Sequence, residues 1–124
     1  MSRAMVVDDS RAIRMILANT LSELGFQVCQ AGNGKEALDM LERENGEFSL
    51  VLVDWNMPEM NGLEFVKRVR SDSRMSSVPL MMVTTETEMG QVVTALEAGA
   101  NEYVMKPFTR EIITDKLRLM GAIQ

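Results

Sequence analysis

The chain has 124 residues, enough for one domain with a single core, so the expected domain is 1–124. Its 13 Lys and Arg against 18 Asp and Glu leave a net charge of −5, which argues against direct nucleic-acid binding through a basic patch and favours a protein partner or a cation. With no histidine, one cysteine and no apolar run near the roughly 18 residues of a membrane span, the sequence excludes His-based catalysis, an intramolecular disulfide and membrane insertion. Asp8 and Asp9 come too early for a signal peptide, and the expected location is cytoplasmic.

Ala4-Met5-Val6-Val7 predicts a strand ending on Asp8-Asp9. Ser10 can cap a helix in which Ile13, Ile16, Leu17, Leu21 and Leu24 recur at helical spacing until Gly25. Phe26 to Ala31 predicts a second strand with Cys29 as a buried, inert thiol, and Gly32-Asn33-Gly34 predicts a turn. A second helix carries Ala37, Leu38 and Leu41 and ends near Asn45-Gly46. The run from Ser49 to Val53 predicts a buried third strand ending on Asp54, with Trp55 as a partly exposed neighbour and Pro58, Asn61 and Gly62 as turn residues. Leu63, Val66 and Val69 mark a third helix over 62–71, followed by a polar connection to Ser77.

Val78 to Thr84 predicts a fourth strand, with Pro79 near its start and Met81 and Met82 as core, and Thr85 to Glu88 a loop. Val92, Val93 and Leu96 mark a fourth helix closed by Gly99, its start weakened by Gly90. Asn101 to Met105 predicts a fifth strand before Lys106-Pro107. The last helix begins after Thr109 and uses Ile112, Ile113, Leu117 and Met120. Five strand–helix units with short connections predict an α/β fold with a parallel sheet and helices on both faces. Right-handed crossovers then limit it to a doubly wound form.

In such a sheet the carboxyl ends of all strands share one edge, where open α/β folds place their chemistry. Asp8-Asp9, Asp54, Thr84 and Lys106 all fall on that edge. Three close carboxylates repel unless a cation neutralises them, and oxygen ligands without His or Cys favour a hard cation, Mg2+ first. Lys106 offers a point charge to a phosphoryl group, Thr84 a hydroxyl donor, and a carboxylate nucleophile can form an aspartyl phosphate. The constellation predicts Mg2+-assisted phosphoryl transfer to Asp54.

Val6-Val7-Asp8-Asp9-Ser10, Asp54-Trp55-Asn56-Met57-Pro58 with Asn61-Gly62, Met82-Val83-Thr84, Ala98-Gly99-Ala100 and Tyr103-Val104-Met105-Lys106-Pro107-Phe108 resemble the receiver domain of bacterial response regulators, above all the stand-alone, CheY-like chemotaxis type. The resemblance spans essentially the whole chain. It implies a flavodoxin-like sheet of order 2-1-3-4-5 and a cis Lys106-Pro107 bond. It also implies Asp54 as phosphoacceptor, and Asp9, Asp54 and the Asn56 backbone carbonyl as Mg2+ ligands, with Asp8 acting through water. Lys106 would contact the phosphoryl group. Thr84 would hydrogen-bond it, and Tyr103 would follow as an aromatic switch. Asn56 and Glu86 match positions that tune dephosphorylation.

Thr85 departs from the family pattern, which has a small residue there. It is expected to slow small phosphodonors by narrowing the entrance to Asp54. The start of the fourth helix is less basic than in CheY-like domains, which bears on the output partner.

The implied partners are a sensor histidine kinase and a protein target on the face of the fourth helix, fifth strand and fifth helix, with the flagellar motor switch as leading case. The domain is expected to be a monomer and a phosphoacceptor switch, not a turnover enzyme. A phosphorelay intermediate or phosphate sink shares the chemistry. A receiver fragment of a longer DNA-binding regulator would look the same; the end of the chain just after the last helix favours the stand-alone form. A haloacid-dehalogenase-type phosphatase would want an Asp where Asn56 stands, and a flavodoxin-like carrier would want a hydroxyl-rich first loop.

Overall fold

Apolar runs and amphipathic segments alternate along the chain, and so do the elements they form. The strands are β1 (Arg3–Val7), β2 (Gln27–Ala31), β3 (Leu50–Asp54), β4 (Leu80–Thr84) and β5 (Glu102–Met105). The helices between and after them are α1 (Arg11–Glu23), α2 (Gly34–Arg43), α3 (Gly62–Ser71), α4 (Val92–Ala98) and α5 (Arg110–Leu119). These elements belong to a computed structural model that describes residues 2–85 and 90–124.

The strands pair in parallel in the order β2-β1-β3-β4-β5, as expected for the doubly wound, flavodoxin-like form. The chain winds from β1 outward to β2 and then returns to add β3 on the other side. That reversal opens a crevice at the carboxyl ends of β1 and β3.

Side-chain alternation with period two divides the core between the two faces of the sheet. Val51, Val53 and Met82 pack with Ala37, Leu41, Phe65 and Val69 on one face. Leu50, Leu52, Met81 and Val83 pack with Leu17, Leu21, Ile113 and Leu117 on the other. Burial on both faces is why the central strands read as continuous apolar runs.

The same alternation overturns one expectation. Trp55 is not partly exposed but 6% accessible. It continues the Val51–Val53 stripe past the strand end into the same cluster, and Met57 follows it there. Cys29 is also not fully buried: it lies half-buried on the edge strand β2, with the Arg3 Nη2 atom 4.0 Å from its sulfur.

Helical spacing is clean but its phase is narrower than the sequence suggested. Leu17 and Leu21 are buried and Ile13 and Leu24 partly so, while Ile16, one residue off that stripe, is exposed. Ile112 and Val93 stand off their stripes in the same way. β4 begins at Leu80 rather than Val78, because Pro79 has no N–H for the ladder. Its carbonyl instead accepts from the Val51 amide at 2.8 Å.

Four helices start on a side chain that accepts an N–H of their first turn: Ser10, Asn33, Asn61 and Thr109. Asn33 therefore does more than turn the chain. α4 differs, since Gln91 at its start makes no such bond. Its far end is tied down by Arg70 of α3, whose guanidinium donates to the Gly99 carbonyl, the Ser76 carbonyl and Asn101 Oδ1, each at 2.9 Å. Gly99 sits at φ +123°, and a Cβ there would meet the Arg70 side chain at 2.7 Å. Among the described residues, no helix is long and apolar enough to cross a membrane.

Candidate functional site

β1 delivers Asp8 and Asp9 to the crevice, and β3 delivers Asp54. Asp54 is the last residue of its strand and is 4% accessible; Asp8 is 1% accessible, whereas Asp9 is exposed. One carboxylate oxygen from each of the three lies within 4.8 Å of the others. Lys106, directly after β5, reaches across the top of β4. Its Nζ donates to Asp54 Oδ1 at 3.2 Å and to Asp8 Oδ2 at 3.3 Å. Burial disfavours the ammonium, but Asp54 and then Asp8 outweigh it and hold the Lys106 pKa above the ordinary lysine value. The Lys106–Pro107 bond is cis, as the resemblance implied.

The loops around these groups are pinned by backbone bonds. Asp8 Oδ1 accepts from the Ser10 amide at 2.8 Å, and Arg14 Nη1 donates to the Asp8 carbonyl at 2.6 Å. The Gly62 amide donates to the Trp55 carbonyl at 2.8 Å, closing the loop after Asp54. A Cβ on Gly62 would stand 2.7 Å from the Asp54 carbonyl, so the close return of the chain needs glycine.

Thr84 is fully buried at the end of β4, and its carbonyl accepts from the Lys106 amide at 2.6 Å. Asp9, Asp54, Asn56, Met57, Pro58, Thr85 and Lys106 line an open cleft of about 530 Å³. Thr85 thus borders the approach to Asp54, and Asn56 is exposed on its rim. Tyr103 is half-buried on β5, two strands from Asp54, in register with Met82. Glu86 lies outside the described residues, as does Met89.

Asp8, Asp9, Asp54, Asn56, Thr85 and Lys106 therefore converge, with Thr84 beside them and Tyr103 apart. Arg14, Glu102 and Lys116 carry no signal in the sequence; their contacts depend on how helices lie on the sheet, which spacing alone does not give. Met57 on the cleft wall had a signal, the continued alternation after β3.

Three carboxylates against one ammonium leave the cluster net negative, and every donor is an oxygen. That set can hold a hard cation, and a carboxylate at its base can act as a nucleophile. Residues 4–118 match the family described as response regulator receiver domain. The chain belongs to that family. It is 48% identical over 119 residues to "Chemotaxis protein CheY1" of Helicobacter pylori (strain ATCC 700392 / 26695), covering 95% of each chain. It is 40% identical over 116 residues to "Chemotaxis protein CheY" of Pseudomonas aeruginosa, covering 93% of this chain and 92% of that one. The structure of Vibrio cholerae CheY4 superposes with a TM-score of 0.88 at 36% identity, over 97% of this chain and 98% of that one. The domain is thus a receiver of the CheY type, a phosphorylation-dependent signalling module.

Proposed function

We propose that Asp54 accepts a phosphoryl group from a sensor histidine kinase, with Mg2+, and that the modified domain binds a protein target. The observation that carries this reading is the Lys106 ammonium bonded to both Asp54 and Asp8 at the base of a cleft that Asp9 borders. The oxygen-only cluster fits Mg2+. Asp9, Asp54 and the Asn56 backbone carbonyl would hold it, with Asp8 acting through water. When bound, Mg2+ neutralises charge on the carboxylates and on phosphoryl oxygens.

The chain's own residues do the rest. An Asp54 carboxylate oxygen attacks phosphorus; the O–P bond forms as the P–N bond of the phosphohistidine breaks, and the departing imidazole takes a proton from solvent. Lys106 compensates the charge gathered on the phosphoryl oxygens, and the Thr84 hydroxyl donates to one of them. Thr84 then draws toward the site and Tyr103 follows, changing the surface of α4, β5 and α5. Asn56 and Glu86 tune the return by hydrolysis, and Thr85 tunes entry.

Relatives named as chemotaxis proteins, alike over nearly their whole length, support an output in chemotaxis; the target in this reading is the flagellar motor switch. The exposed Leu96, Met105 and Ile112 on α4, β5 and α5 suit a protein contact. A phosphorylated domain that does not bind the switch would favour a phosphorelay or phosphate-sink role instead.

The test is intact mass after incubation with acetyl phosphate and Mg2+. Wild type should gain one phosphoryl group, lost with EDTA and absent in Asp54→Asn. A gain that persists in Asp54→Asn would move the acceptor elsewhere.

A further inference from the structure

β5 is an edge strand, and its exposed side is closed by a small charged network. The Tyr103 amide donates to Glu102 Oε1 at 3.0 Å. The same oxygen accepts from Lys116 Nζ of α5 at 3.1 Å. The Lys116 ammonium also lies 4.3 Å from the centroid of the Tyr103 ring, a cation over an aromatic face. Both charged side chains are mostly shielded from water, at 25% and 20% accessible. The ring itself is half-buried against the core on the opposite face of the sheet from α5.

We propose that Lys116, fixed by Glu102, is a positioning residue that holds the Tyr103 ring in this place and so limits how often the domain adopts its activated form without a phosphoryl group. The inference rests on the reading of Tyr103 as the switch. A ring that turns inward leaves the ammonium, and the ammonium, anchored on Glu102, does not follow. The contact is therefore made in one state, and a contact made in one state biases the equilibrium by its full free energy. A cation–π contact of this exposure corresponds to about a two- to fivefold change in the ratio of the two forms.

The chain has a single tyrosine, so 3-fluorotyrosine labelling gives one 19F resonance that reports the ring alone. The protein is titrated with beryllofluoride and Mg2+, a stand-in for the phosphoryl group on Asp54, and the half-saturating concentration is read from that resonance. Lys116→Met should lower it about two- to fivefold, because the competent form is more populated before the ligand binds. Lys116→Arg, which keeps a cation, should behave as wild type, and Glu102→Gln should fall between. An unchanged or raised half-saturation in Lys116→Met, with the wild-type resonance moving normally, would overturn the role of Lys116 and leave the switch intact. A wild-type resonance that beryllofluoride does not move, although Asp54 is phosphorylated by mass, would overturn the switch reading and this inference with it.

Discussion

The two flanks of the cleft are held in different ways. On the β1–β3 flank, buried Asp8 and Asp54 share one ammonium, and each loop is tied by short bonds such as Arg14 to the Asp8 carbonyl. On the β4–β5 flank, α4 is the shortest of the described helices, Gln91 at its start makes no side-chain cap bond, and its end is anchored by Arg70. On the proposed function, a fixed acceptor beside a helix anchored at one end would let a local charge change become a change of surface.

Lys106→Met should have the largest effect on this contrast. It takes the ammonium away from two buried carboxylates, and without divalent metal it is expected to cost about 3 kcal/mol in urea unfolding, partly restored by Mg2+. Equal stability of the two proteins would mean that the charge lock holds nothing. The pH dependence follows from the raised pKa of Lys106. Its contribution is complete below the ordinary value of 10.5 and is lost as pH rises through the folded value. The stability gap between wild type and Lys106→Met should therefore be flat near neutrality and close in the alkaline range.

Arg70→Ala tests the anchored end of α4. Losing one partly buried bond to the Gly99 carbonyl and two exposed ones is expected to cost about 1 kcal/mol. Amide exchange should quicken more in α4 than in α2; uniform quickening would mean that Arg70 supports the whole fold instead. The smallest effect is at Gly90, where a Cβ would meet nothing within 4 Å among the described residues and φ is not in the left-handed region. Gly90→Ala should raise stability by about 0.5 kcal/mol and slow exchange at the start of α4. A loss would mean that the segment needs glycine's freedom.

Much of this was legible in the residues. The continuous apolar runs of β3 and β4 mark buried parallel strands, and the carboxylates and lysine at strand ends place the cleft because every parallel strand ends on one edge. The strand order came from the family resemblance, since alternation alone does not say which strands neighbour. Trp55 reads as partly exposed because Asp54 and Asn56 flank it, although the Val51–Val53 stripe already points its side chain inward. Ile16 and Ile112 lie outside the core although a hydrophobic residue one position off a stripe reads like a member of it. The Glu102–Lys116 pair was invisible because it spans an edge strand and a helix whose relative placement is a property of the packed fold.

The strand order has a further consequence. β2 and β5 are the two outer strands, and each carries a residue that occurs once in the chain: Cys29 on β2 and Tyr103 on β5. Four strand spacings separate them, about 19 Å. Nature has thus placed a unique thiol and a unique phenol at opposite rims of one sheet, a ready pair of attachment points for a spectroscopic ruler laid across the molecule.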